Sequence, residues 1–394
     1  MKPIEFLLLH DDPHASQLFT GQLPSNVSVE VSSWAEGWGR LIKTALYKNG
    51  PDLALLGGTW TSDLVGMAAL RPFSDREVTL LGGAQAFAPA VWRTAYLDNP
   101  HEVWTIPWNS DTYVIYYWRD MLEKAGLDEK KAFSTPEQLE NTLQQLQARG
   151  HSGPWFSPTH YRLGHLHCLV SWIWGLGGDL VSSDGKQLLF DRPQSLAAFQ
   201  SYFRLFRFLH PGLRVPRHPD GRELLLKREV AVAIGTSSWL AEMERQEGGD
   251  PVQLDNLGVA LPPGPAYVGE SNLAIYQHSR YPLDAFEVVL ALVDPQMQKL
   301  MSEHPLFGQL PVLLSLLTQP PYTTDPRYKV MVQALQTGRS YPVLPMWGMI
   351  ETRLSDLLLK IEAEVLAQPE ADLESLINPQ MQALADRLSQ TLEL

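Results

Sequence analysis

The chain has one cysteine, Cys168. A single thiol cannot close an internal disulfide, so the fold must be held by burial and hydrogen bonding rather than by a covalent framework. Basic charge is scarce as well: 31 Lys and Arg stand against 44 Asp and Glu, for a formal net charge of −13. That balance repels a phosphate backbone, and no Lys/Arg-rich run outweighs it locally, which argues against nucleic acid as a partner. Long apolar runs are missing. The richest, from Cys168 to Gly178, is interrupted by Ser171 and Gly175 and falls short of the roughly 20 residues needed to span a bilayer. No phosphate-binding glycine loop is present, because Gly175-Leu176-Gly177-Gly178 matches neither the dinucleotide pattern nor a loop ending in Lys-Ser/Thr, so kinases and dehydrogenases fall away. No period of about 20 to 50 residues recurs, which excludes a solenoid. Near the start, the apolar run Phe6 to Leu9 is shorter than a signal h-region of roughly 7 to 15 residues. A chain that begins here is expected to stay in the cytoplasm.

What is present describes a packed protein: 44% hydrophobic and 19% charged residues over 394 positions, more than one core usually serves, so two lobes are expected. Strand patterns over 4–9 and 27–31 alternate with helical patterns over 15–22 and 38–47. Pro51-Asp52 launches a buried strand over 53–56, which ends at Gly57-Gly58 and runs into Thr59-Trp60-Thr61-Ser62-Asp63 at a helix start. Such strand-to-helix junctions are where open α/β sheets bind ligands, because loop side chains and backbone N–H groups converge there. The layout repeats at 229–234, which leads through Gly235-Thr236 to Ser237-Ser238-Trp239, where a serine can cap the helix that follows. The aromatic stretch 104–118 reads as a crossing strand with an Asn109-Ser110-Asp111 loop in it, followed by a helix closed at Gly126. A second crossing is expected over 271–276, after the turn Pro262-Pro263-Gly264-Pro265. Pro282 then opens a helix toward 300, and residues 325–394 read as helical, with Leu354, Leu357, Leu358 and Ile361 at core spacing.

These segments together resemble the family 1 bacterial extracellular solute-binding proteins, the maltose-binding-protein-like receptors of carbohydrate ABC importers. The residues that carry the resemblance are PDLALLGGTW (51–60), IPWNSDTYVIYYWRDMLEKAGL (106–127), GLGGDLVSSDG (175–185), VAVAIGTSSWL (230–240), LPPGPAYVGESNLAI (261–275) and PLFGQLP (305–311), all in the family's order. The resemblance implies an α/β, two-lobed, periplasmic-binding-protein-like (Venus-flytrap) fold with a helical C-terminal region. One lobe would hold 1–110 and 272–315, the other 111–271 and 316–394. It also implies a monomeric receptor without catalysis, metal or cofactor, whose partners are a carbohydrate and an ABC permease, located in the periplasm or at the cell surface. The sequence departs from the family at Gly269-Glu270, where two glycines are usual, and in the missing signal peptide and lipid-anchor cysteine. A cytoplasmic sugar sensor that signals to a regulator uses the same closure of two lobes.

A sugar presents an apolar C–H face and a rim of hydroxyls, so its site needs flat aromatic rings together with carboxylates or amides. The twelve Trp are the first source of candidates. Trp60 is expected to stack from one lobe, and Trp239 and Trp347 from the other, with Trp108 and Trp174 near the cleft and Thr61 and Ser238 in the two junction loops. Trp34 and Trp172 also fall at cleft-facing positions. The resemblance places a hydroxyl-binding residue at Asp111, for which a turn cap is the plainer reading. Glu270, Ser271 and Asn272 would line the second crossing. Asp111 and Glu270 could also form the carboxylate pair of a glycoside hydrolase, the competing enzymatic reading. The spacing of His160, His165, His167 and Cys168 matches no zinc motif, and a helical surface with one buried thiol accounts for it.

Overall fold

The computed structural model describes residues 3–160, 162–214, 220–244, 254–304 and 306–392. Pro305, the first residue of the PLFGQLP segment, lies outside the described residues. Among the described residues the strands are Ile4–Leu9 (β1), Val27–Ser32 (β2), Leu53–Gly57 (β3), Ile106–Trp118 (β4), Trp155–Phe156 (β5), Val232–Thr236 (β6), Leu257–Ala260 (β7), Val268–Ile275 (β8) and Leu310–Pro311 (β9). The chain divides into two units: Met1–Asp111 with Val268–Thr324 and Ser340–Gly348, and Thr112–Tyr267 with Asp325–Arg339 and Met349–Leu394.

In the first unit the hydrophobic run of β1 is buried except at Glu5. This strand lies between β2 and β3 and pairs in parallel with both. β2 alternates half-buried and exposed positions, the pattern of a strand with one covered face. β8 runs antiparallel to β3, setting Gly57 opposite Ser271 and Leu56 opposite Asn272. The start of β4 pairs with β9 at Asn109 and Ser110. Asn109-Ser110-Asp111 is therefore strand rather than the expected loop, and the turn-cap reading of Asp111 falls with it. Residues 15–22, expected to be an α-helix, contain only the short 3₁₀ segment Ala15–Phe19. The helix expected from 38 begins at Trp34, where the Ser33 hydroxyl caps it by accepting the Glu36 N–H. The helix expected from Pro282 toward 300 is divided into Pro282–Val293 and Pro295–Glu303, because Pro295 cannot continue the hydrogen-bond ladder and Asp294 caps the new start by accepting from Gln296 N–H.

The second unit is built on the remainder of β4, paired antiparallel with β6 and β7, with β5 added in parallel to β6. Helices Arg119–Ala125, Pro136–Ala148, Arg162–Gly175, Pro193–Arg204 and Leu373–Leu392 belong to this unit, with most of Trp347–Ala367. Gly126 ends the first of them in the left-handed region at φ 74°, where a side chain would be strained. In Trp347–Ala367 the positions Leu354, Leu358, Ile361 and Val365 are buried, a spacing of four, three and four that forms one apolar stripe, while Leu357 is only half-buried. Each fully buried Leu or Ile contributes about 1.5–3 kcal/mol of burial energy. Helix Arg162–Gly175 is not the surface helix expected from its histidines: His165, Leu166, Cys168, Leu169, Val170, Trp172 and Ile173 have no exposed area.

The boundaries differ from those read in the sequence. Asp111 and 268–271 join the first unit, because β4 stays paired with β9 up to Ser110 and β8 is continuous from Val268. Residues 316–324 also stay there, following β9 directly through helix Leu314–Leu317. The largest change concerns Ser340–Gly348, expected in the second lobe. In the structure the Ser340 hydroxyl donates to Val268 O at 2.8 Å and the Met346 N–H to Asp63 Oδ1 at 3.4 Å, and all of these residues lie in the first unit.

Candidate ligand-binding site

At the first junction, β3 ends at Gly57, Gly58–Trp60 makes one 3₁₀ turn, and helix Thr61–Gly66 follows. The Trp60 ring is half-buried and rests between two others, with centroids 5.8 Å from Trp34 and 5.4 Å from Trp38. The tight turn after β3 brings backbone close to the Glu270 carboxylate: a Cβ on Gly58 would lie 2.2 Å from Glu270 Oε1 and 2.9 Å from Thr94 Cβ. Glycine at 58 thus makes room for an acid from β8. Asp63, in the first turn of the helix, is pushed above the usual carboxylate range by burial, offset in part by the Met346 N–H. Three partly accessible indoles beside two carboxylates supply both surfaces that a sugar needs.

The second unit repeats the design. β6 ends at Thr236 and helix Ser238–Glu244 begins two residues later. Trp239 is half-buried, stacked on Tyr116 at 5.7 Å and tilted 57° against Phe156. Its indole lies across the strand, so that a Cβ on Gly235 would meet it at 2.5 Å. The Ser237 hydroxyl accepts the Thr112 N–H at 3.2 Å, and those of Ser238 and Thr236 lie 2.8 Å apart. The first of these bonds ties the junction to β4.

Several expected site residues lie elsewhere. Trp108 is core: it has no exposed area, packs among Phe6, Phe19 and Phe307, and donates its indole N–H to Leu292 O at 3.0 Å. Thr61 is fully buried. Asn272 is fully buried, its amide donating to Thr94 O, Thr94 Oγ1 and Thr105 Oγ1, so it serves the frame of the first unit. Ser271 keeps 8% exposure and Ser238 6%. Trp172 is buried. Trp347 lies in the first unit rather than opposite Trp60, without exposed area, its ring 4.8 Å from Tyr341. Trp174 borders a different hollow of the second unit. Asp111 and Glu270 remain partly accessible.

The sequence reading missed Asp63 and an aromatic group in the second unit. His167 lies flat on Tyr267, centroids 4.4 Å apart and planes 3° apart, with Tyr113 at 5.9 Å. Tyr113 and Tyr267 sit beside the two crossings of the chain. Burial lowers the His167 pKa to about 3, so the ring is neutral at physiological pH. The available signal was positional, since both tyrosines flank segments already recognised as crossings. The two histidines before His167 in the sequence have another partner: His165 Nε2 is 2.6 Å from Glu362 Oε2, and the His160 backbone N–H donates to the same carboxylate. Burial pushes the Cys168 thiol well up. Among the described residues no group of three or more His, Cys, Asp or Glu could hold a metal ion, and no helix is long and apolar enough to cross a membrane.

Two α/β units linked by crossing strands, each with an aromatic strand-to-helix junction, define a periplasmic-binding-protein fold. The chain belongs to the bacterial extracellular solute-binding protein family, whose model matches residues 19–330, a family of receptors rather than enzymes. The sugar-binding protein MalE from Xanthomonas citri is similar at a TM-score of 0.81 and 18% identity, covering 100% of this chain and 98% of that one. An ABC transporter solute-binding protein from Thermotoga lettingae bound with alpha-D-tagatose gives 0.78 and 20%, covering 98% and 100%. UgpB from Mycobacterium tuberculosis in complex with glycerophosphocholine gives 0.76 and 16%, covering 100% and 98%. A comparison with curated proteins gave no match.

Proposed function

We propose that the chain is the receptor of an ABC-type importer for a small carbohydrate, and that the aromatic junctions at Trp60 and Trp239 bind it. Similar folds hold solutes as different as alpha-D-tagatose and glycerophosphocholine, so the choice of a sugar rests on the side chains. The observation that carries it is the group of Trp34, Trp38 and Trp60, half-buried and within 5.8 Å of one another through Trp60, next to Glu270 and Asp63. Aromatic faces take the C–H side of a pyranose and carboxylates accept from its hydroxyls. Asp111, at the first crossing, would contact a hydroxyl. Trp347, fully buried here, would have to be uncovered before it could stack on ligand. The receptor would act as a monomer outside the cytoplasmic membrane, in keeping with its family.

The test is a thermal-shift screen against a carbohydrate panel, followed by calorimetry. Trp60→Ala and Trp239→Ala should each weaken binding of the best sugar by about 1–3 kcal/mol. Unchanged affinity in both variants and in Trp347→Ala refutes the site.

A further inference from the structure

A second hollow, of about 340 Å³, lies wholly within the second unit and shares no lining residue with the Trp239 junction. Its wall is a fixed group. Asp179 Oδ1 accepts the Trp174 indole N–H at 3.1 Å and the Leu180 N–H at 2.9 Å, while Oδ2 accepts from Arg339 Nη2 at 2.7 Å. The Arg339 guanidinium lies over the Trp174 ring, 4.6 Å from its centroid, and the Arg339 N–H is bonded to Ala266 O. Arg339 and Asp179 nevertheless keep 46% and 30% of their side-chain area accessible. Arg192 and Gln194 are exposed at the rim. Ser195 is buried beneath them, and its hydroxyl donates to Asp179 O at 2.9 Å.

We propose that this hollow is an accessory carbohydrate subsite, for a neutral ligand with several hydroxyls such as one or two sugar rings. Charge decides the class. Arg339 faces Asp179, and Arg192 lies 3.6 Å from Asp191, so each cation is balanced and a small ion gains little. What the hollow offers instead is a dense set of donors and acceptors: the Arg339 guanidinium and the Asp179 carboxylate at fixed positions, with the guanidinium of Arg192 and the amide of Gln194 exposed at the rim. Pre-fixed groups lose little entropy when a ligand binds. A neutral polyol can bridge a carboxylate and a guanidinium at once, donating to one and accepting from the other. The volume lies at the lower end of the roughly 300–1,000 Å³ typical of small-molecule sites. The subsite goes beyond the proposed binding residues at Trp60 and Trp239 and does not depend on them.

The experiment follows the Trp174 indole N–H resonance in the ¹⁵N-labelled full chain, assigned with Trp174→Phe, while glucose and then maltose are added. The resonance should shift and saturate, because ligand at Asp179 alters the acceptor of that N–H. In Arg192→Ala and Gln194→Ala, which leave the Trp174–Asp179–Arg339 group intact, the midpoint should rise at least about tenfold, equivalent to about 1.4 kcal/mol. Thermal melts confirm that these variants fold. A Trp174 resonance unmoved by either sugar, or titrating alike in wild type and both variants, overturns the subsite. Failure of the proposed function reads differently: calorimetry on Trp60→Ala and Trp239→Ala stays at wild-type affinity while the Trp174 resonance still titrates.

Discussion

Acidification should destabilise the protein through His167. The ring lies parallel to Tyr267 at 4.4 Å with Tyr113 at 5.9 Å, and burial lowers its pKa to about 3 from an ordinary 6.5. Below about pH 6.5 the unfolded chain therefore takes up a proton that the folded chain refuses, and stability present at pH 7 is lost as the pH falls toward 3. For a single group with these two pKa values, linkage gives a loss of about 2 kcal/mol between pH 7 and pH 5. That is an upper bound, because His167 retains some accessible surface. His167→Phe keeps the stacking and removes the titration. Urea melts of wild type and variant at both pH values isolate the effect, since the other histidines cancel in the double difference. Wild type should lose about 1–2 kcal/mol more than the variant, worth roughly 2–8 °C in melting temperature for a unit of this size. Equal losses in the two proteins would refute a ring held neutral by its surroundings.

Other substitutions test other contacts. Gly235→Ala would place a methyl group 2.5 Å from the Trp239 ring; displacement of the indole should cost about 1–3 kcal/mol and change the tryptophan emission, and an unaltered spectrum contradicts the packing. Glu362→Leu removes the carboxylate that lies 2.6 Å from the fully buried His165, and denaturant melts should show a loss of about 1–3 kcal/mol, the cost of a buried polar group deprived of its hydrogen bond. For Asp63 the sign is reversed. Because burial raises its pKa, the folded chain resists ionisation, and wild-type stability falls as the pH rises through the raised value. Asp63→Asn should therefore melt higher than wild type at pH 7, with the gain fading below the ordinary carboxylate range, while sugar affinity falls; an unchanged midpoint at pH 7 would mean the carboxylate is not strained.

Much of the fold was legible because local rules and tertiary packing agree. The run at 4–9 reads as strand because Ile4 and the apolar stretch Phe6 to Leu9 are covered on both faces in a βαβ pattern, with only Glu5 exposed. The Arg119–Ala125 helix ends where Gly126 says it should. Errors arose where a signal was local but its outcome was not. Asn109-Ser110-Asp111 has turn composition, yet pairing with Pro311 and Leu310 holds it as strand. The density of histidines in 160–168 suggested a polar surface, whereas Glu362, about 200 positions away in sequence, provides a buried partner for His165. Ser340–Gly348 follows a helix of the second unit, and only its bonds to Val268 and Asp63 reveal where it packs.

The same distinction sorts the tryptophans. Trp60 and Trp239 were chosen because a strand ended just before each of them, and at such a junction the backbone itself turns the following side chains toward the carboxyl edge of the sheet. Both rings are half-buried. Trp108 rested on proximity to a crossing, but neighbouring positions in a strand point to opposite faces, and its face is the core of the first unit. Trp347 rested on the abundance of indoles and on an assumed side of the molecule, neither of which constrains where a ring points. A backbone junction fixes a side chain's direction through geometry that the sequence encodes within a few residues. A residue's partners across the fold are encoded only in the whole chain, so junction residues are the ones on which a site can be argued before a structure is known.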